Sequence, residues 1–143
     1  MQNPAQLFLP ESEFQVMLKH VQSCIPEEAC GLLGGKFYGD SAQVAAVLPV
    51  ENELHSPVRF RMAPQAQLAG FQWLDARELE LVAIFHSHPT GPDHPSLTDL
   101  AEFAYPGVVT LIWSPGQTGW QLRGFLMDGG ETKYAPVKIA ITS

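Results

Sequence analysis

From Leu81 to Asp99 the chain reads L-V-A-I-F-H-S-H-P-T-G-P-D-H-P-S-L-T-D, and no other stretch restricts the fold as tightly. Leu81 to Phe85 is a short run of aliphatic and aromatic residues without a polar face. It suits a strand covered on both sides better than an amphipathic surface helix. A strand turns alternate side chains to one face, so His86 and His88 are presented side by side. Pro89, Gly91, Pro92 and Pro95 break any regular element after them, and the chain must turn. Ser96-Leu97-Thr98-Asp99 then reads as a helix start, with Ser96 at the N-cap and Asp99 at the third helical position.

Each part has a plain reading. Ser-x-x-Asp is a capping arrangement, and two histidines at a strand end can be ordinary polar residues. Taken together they form a set of two neutral imidazoles and one carboxylate, His86, His88 and Asp99, with the fourth tetrahedral position left for water. That is the pattern of a catalytic zinc site, one Zn2+ per chain. Ser96 can do two jobs at once, because its hydroxyl accepts from a backbone N–H while donating its own proton to an oxyanion. His94, in the proline-rich turn, is the competing third ligand, although a loop position favours a solvated or substrate-facing residue.

H-S-H-P followed by six residues and S-L-T-D, with P-E-E-A-C-G-L-L-G-G far upstream, resembles the JAMM (MPN-plus) family of zinc metalloproteases. The family signature is a glutamate, then H-x-H-x7-S-x2-D, and every position is filled here. The resemblance implies that Glu28, directly before a C-G-L strand, is the general acid-base, whereas Glu27 is a solvated turn residue. It implies a cytidine-deaminase-like α/β fold, a curved mixed or antiparallel sheet flanked by helices on both sides. Asn52, Ser56, Arg59 and Phe60, in E-N-E-L-H-S-P-V-R-F, resemble a segment of the bacterial stand-alone members. The chain has no room for the long insertions with which eukaryotic members grip ubiquitin. The implied substrate is therefore a ubiquitin-like sulfur-carrier protein, cut at an amide or isopeptide bond after its Gly-Gly tail.

The rest of the chain fits one compact domain over residues 1–143, long enough to bury a real core. The net charge of -7, without a basic cluster, gives little electrostatic support for binding nucleic acid or an anionic membrane surface. No stretch approaches the roughly 20 apolar residues of a membrane span, and Met1-Gln2-Asn3-Pro4 lacks the features of a secretion signal, so a cytoplasmic location is expected. Two cysteines are too few for a disulfide framework. Cys30 lies in an apolar run and reads as a packing thiol rather than a nucleophile.

Phe14, Met17, Leu18 and Val21 recur at helical spacing and predict a first helix from Pro10 to Cys24, stopped by Pro26. Strands follow at Ala29–Gly35 and Ser41–Val50, antiparallel across the Tyr38-Gly39-Asp40 turn. Gly31, Gly34 and Gly35 suggest a bulge or a close backbone approach, and could leave room for a substrate strand. A second helix is predicted over Gln65–Glu80, with Leu68, Phe71 and Leu74 inward. The helix that starts at Ser96 should end near Tyr105-Pro106-Gly107, before strands at Val108–Trp113, Trp120–Met127 and Thr132–Ile141. Ser114–Gly119 reads as a loop and Asp128-Gly129-Gly130 as a hairpin turn. Trp113, Trp120 and Phe125 read as packing aromatics.

Three other functions were weighed against hydrolysis. A phosphate loop at the glycines lacks the required spacing. A zinc deaminase expects H-x-E with P-C-x-x-C, and neither occurs. A non-catalytic scaffold of the same fold, binding partner proteins, would be expected to have lost part of the set Glu28, His86, His88, Ser96 and Asp99. Sequence leaves the oligomeric state open.

Overall fold

The computed structural model describes residues 3–127 and 133–143. Along the chain run β1 (Gln6–Pro10), α1 (Glu11–Cys24), β2 (Cys30–Tyr38), β3 (Ser41–Val50) and α2 (Pro64–Ala76). They are followed by β4 (Glu80–Ser87), α3 (Leu97–Glu102), β5 (Val109–Gly116), β6 (Gly119–Met127) and β7 (Tyr134–Thr142). The result is a mixed α/β fold. The strands lie in the order β1-β3-β2-β4-β5-β6-β7, and because β7 also pairs with β1 the sheet closes on itself. β1 runs parallel to both β3 and β7, and β4 parallel to β5; the other pairs are antiparallel.

Closure depends on β1, which the sequence reading assigned to no element. Its two inward residues, Leu7 and Leu9, are fully buried. The pattern is short and merges directly into α1, and its partners come from the middle and the far end of the chain, so nothing local announces it. Pro10 is the N-cap of α1 rather than a helical residue.

α1 lays Met17 and Val21, both fully buried, with Phe14 and Leu18 against a cluster that includes Leu33, Phe85, Leu111 and Trp113. Phe71 of α2 packs on a different cluster, which contains Leu32, Val50, Met62 and Ile84. Leu32 and Leu33 are adjacent in β2, so the alternation of a strand sends them to separate clusters. In α2 the inward stripe is Gly70, Phe71 and Leu74, and Leu68 is 57% exposed, contrary to the sequence reading. Gly70 is inward because a Cβ there would stand 2.7 Å from Leu32 Cδ1. The helix stops at Ala76, short of the expected Glu80, in a turn closed by Arg77 and Glu78 N–H groups to Leu74 and Asp75 carbonyls. Glu78 takes φ +56, a conformation usually announced by glycine or asparagine, and the sequence carries no such marker.

The glycines of β2 do mark a bulge: the register shifts between Gly34 and Gly35 against β3 and between Leu33 and Gly34 against β4. They leave no room for a substrate strand, however. β2 is paired on both edges, and a Cβ on Gly31 would meet Phe85 at 2.3 Å, one on Gly34 Leu74 at 2.2 Å, and one on Gly35 the Gln43 carbonyl at 1.9 Å. β5 and β6 extend through most of the predicted loop, leaving a turn at residues 117–118. The predicted turn Asp128-Gly129-Gly130 and the start of the last strand at Thr132 lie outside the described residues. Trp113 is fully buried against Phe14, Phe125 is buried, and Trp120 packs partly covered on the larger cluster.

Candidate metal centre

β4 ends at Ser87, so His86 is its last inward-facing ring and His88 stands one residue beyond it. Both are buried. The chain turns back through residues 89–95 into α3, where Ser96 and Asp99 form a reciprocal capping box. Asp99 N donates to Ser96 Oγ (3.0 Å) and Ser96 N donates to Asp99 Oδ2 (2.9 Å). The capping and ligand readings of Asp99 turn out not to be alternatives. The same Oδ2 lies 3.2 Å from His86 Nε2 and 3.1 Å from His88 Nε2, and the two ring nitrogens are 3.1 Å apart.

The chemistry of this triangle is set by His88. Its Nδ1–H donates to the Pro92 carbonyl (2.7 Å), so in the neutral ring Nε2 carries a lone pair that faces a carboxylate oxygen and another ring nitrogen. Two ring nitrogens and a carboxylate oxygen converging in this way suit a cation. The separations of 3.1 and 3.2 Å are close to the edge of about 3.3–3.4 Å in a tetrahedron of 2.0–2.1 Å zinc bonds, so the donor set fits zinc. The electrostatics agree. Burial works to lower the pKa of His88, but Asp99 and the Pro92 carbonyl outweigh it and the net shift is upward. Burial works to raise that of Asp99, yet the contacts with His86 and His88 hold its carboxyl well below the usual carboxylate range.

Glu28 stands at the end of the loop before β2. It is 4% exposed, and its Oε1 has no hydrogen-bond partner. Ligand-type atoms of Glu28, His86 and His88 fall within 4.8 Å of one another, so two carboxylates compete for the third ligand position. The shorter contacts of Asp99 favour it, and leave Glu28 as the neighbouring free carboxyl. Burial, reinforced by the charge of Asp99 and opposed by that of His88, pushes Glu28 up to about 8.

The backbone around Glu28 is fixed by residues whose roles sequence reasoning did not see. Asn52 is buried and donates to the carbonyls of Glu28 and Arg59 (3.0 Å each), while its Oδ1 accepts from Leu54 N and Arg61 N (3.1 Å each). Glu28 N donates to the Ser56 carbonyl (2.8 Å). Ser87, between the two histidines, turns the other way and accepts from Ala29 N (2.8 Å). Strand alternation could have flagged Ser87 as facing away from the site. Phe60 stacks on the His86 ring, centroids 4.6 Å apart at 23°.

His94 is exposed and contacts Asp93 rather than the triangle. His55, read as a surface histidine, is exposed but faces Glu27 at 3.0 Å. Cys30 is buried, its thiol directed at the Val50 carbonyl and pushed up to about 12 chiefly by burial, which disqualifies it as a nucleophile.

Residues 10–124 match the family of prokaryotic homologs of the JAB domain. The chain belongs to that family. Its relatives within the JAB homologs include a desampylase of Pyrococcus furiosus, 37% identical over 106 residues that cover 74% of this chain and 72% of that protein. A probable TtuB-protein conjugate cleaving protease of Thermus thermophilus is 30% identical, covering 87% of this chain and 78% of that one. Among solved structures, the solution structure of a Desulfitobacterium hafniense protein matches with a TM-score of 0.86 at 30% identity, over 96% of this chain and 94% of the other.

Proposed function

We propose that this JAB homolog is a zinc metallopeptidase that hydrolyses the amide or isopeptide bond following the C-terminal Gly-Gly tail of a ubiquitin-like sulfur-carrier protein. His86, His88 and Asp99 hold one zinc ion, Glu28 is the general acid-base and Ser96 the oxyanion donor. The observation that carries this reading is the convergence of three ligand-type atoms, His86 Nε2, His88 Nε2 and Asp99 Oδ2, at 3.1–3.2 Å beside a buried carboxyl that has no hydrogen-bond partner of its own on Oε1. The relatives named for desampylation and for cleaving protein conjugates support the substrate class.

Zinc in this site supplies Lewis-acid polarisation of the scissile carbonyl and a nucleophilic water at neutral pH. Glu28 would be the group that moves a proton from the attacking water to the departing nitrogen. Burial keeps Glu28 out of bulk water beside the triangle, as a general acid-base requires. Ser96 Oγ accepts from Asp99 N, and its hydroxyl proton remains free for the developing oxyanion; one such donor is typically worth about 3 kcal/mol. A partner-binding scaffold would have no use for a costly buried carboxyl held without a partner.

The finer description of the fold belongs to the same proposal. With α1 on the Leu33 and Phe85 cluster and α2 on the Leu32 and Ile84 cluster, the chain is read as one domain of cytidine-deaminase-like architecture with helices on both sides of the sheet. The two unpaired cysteines suit the reducing cytoplasm, where the protein is proposed to act. No helix among the described residues is long and apolar enough to cross a membrane.

The test is to incubate the zinc-loaded protein with Gly-Gly-tailed carriers that bear C-terminal extensions and to weigh the products. Cleavage after the second glycine is expected, with Glu28→Gln slower by at least about a hundredfold. Carriers that all survive, or a Glu28→Gln variant that cuts at the wild-type rate, would remove the proposal.

A further inference from the structure

Next to the triangle, and sharing His86 and Asp99 as part of its wall, lies a cavity of about 200 Å³. Its apolar lining includes Phe60, Met62, Ile84, Phe103 and Val108. Phe60 is at once a wall of the cavity and the ring stacked on His86. We propose that this cavity is a specificity pocket for the first residue on the leaving side of the scissile bond, and that it selects an apolar side chain such as that of leucine, methionine or phenylalanine. The proposal rests on the peptidase reading above.

Three features point to that occupant. The first is position. A cavity walled by His86 and Asp99 is within reach of residues directly flanking the reacting carbonyl. On the carbonyl side the substrate offers two glycines, which have no side chain to fill anything. The third residue back along an extended tail stands two residues, roughly 7 Å, beyond the scissile glycine at about 3.3 Å per residue, whereas the leaving-side residue is bonded directly to the reacting carbonyl and carries the nearest side chain. The second is size: about 200 Å³ falls below the roughly 300 Å³ at which small-molecule pockets begin, and suits a single side chain.

The third is charge. Every charged residue in the lining already faces a partner: Arg59 is paired with Glu102, Arg61 with Glu53, and Asp99 with the two histidines. Gln67 donates to the Tyr105 hydroxyl (3.1 Å). An ionised side chain entering here would lose its water without gaining a counter-charge, whereas an apolar one loses only unfavourable hydration.

The experiment uses zinc-loaded full-length protein and synthetic carrier tails ending in Gly-Gly-X-Ala, with X as Gly, Ala, Leu, Met, Phe, Asp or Lys. Mass spectrometry gives kcat/KM for each. Leu, Met and Phe should exceed Gly and Asp by about tenfold or more. Val108→Phe, which narrows the cavity, should lower the Phe-to-Ala ratio, and Phe103→Ala, which widens it, should raise that ratio. Opposite movements of a ratio are not produced by general loss of folding. A flat profile over X, or variants that scale all X alike, would overturn the pocket.

If no tail is cut, the peptidase reading has failed separately, and the pocket is then judged by binding. Leu-Ala, the leaving group of the leucine tail, should shift the labelled methyl signal of Met62 while Gly-Ala does not. No shift up to the solubility limit would overturn the pocket as well.

Discussion

Asp99 Oδ2 serves two structural purposes with one atom. It accepts the Ser96 N–H that starts α3 and closes the triangle with His86 and His88, so the helix cap also aims the ligand. This is why the convergence of His86, His88 and Asp99 was legible in the sequence: together with the cap residue Ser96 they lie close along the chain, and their geometry follows from local rules. Glu28 was legible only through a family resemblance, because its approach to the histidines depends on pairing between distant strands. Its raised pKa has a sign that can be tested. A carboxyl shifted from 4.5 up to about 8 on folding favours the folded state fully below pH 4.5, and that contribution is lost as pH rises through 8. Chelator-treated protein should therefore lose stability to urea between these pH values. Glu28→Gln should flatten that slope, leaving the variant more stable at pH 8 by on the order of 4 kcal/mol. An unchanged slope would mean that Glu28 is not held protonated by burial.

At the scale of elements, the segment between β3 and α2 shows what single-sequence reasoning reaches and what it does not. Its likeness to bacterial stand-alone relatives drew notice to Asn52, Ser56, Arg59 and Phe60, but Asn52 and Ser56 work by tying down backbone groups that no composition reveals. Asn52→Ala would leave the Glu28 and Arg59 carbonyls and the Leu54 and Arg61 N–H groups without this partner. A loss of about 1–3 kcal/mol is expected in denaturant melts, with a fall in kcat as Glu28 is released. Element boundaries were missed where the deciding residue carried no marker, as at Glu78, or where a strand outran its turn signals, as at Gly116 and Gly119. The glycines of β2 were read correctly as a bulge and wrongly as open space. Gly35→Ala should fail to fold or melt far below the wild type, because its Cβ would lie 1.9 Å from the Gln43 carbonyl; a variant of normal stability would contradict that packing.

For the whole molecule, closure of the sheet brings the two ends of the chain together, β1 lying parallel between β3 and β7. Such pairing is non-local and leaves no local trace in the sequence, whereas the helices, the strands and their apolar faces do. Leu9→Ala, in the strand that closes the sheet, should cost about 2–5 kcal/mol in thermal or urea unfolding. A cost near zero would show that closure contributes little. The closed sheet holds β2 and β4 side by side, and with them Glu28 and His86, so the stability of the sheet bears on the proposed metal centre. The measurement that bears most directly on that centre is calorimetric titration of zinc into chelator-treated protein. Wild type and Glu28→Gln should each bind one ion per chain, and His88→Ala should bind none. If His88→Ala binds zinc as wild type does, or if Glu28→Gln loses the ion, then Glu28 and the triangle of His86, His88 and Asp99 do not have the roles assigned to them.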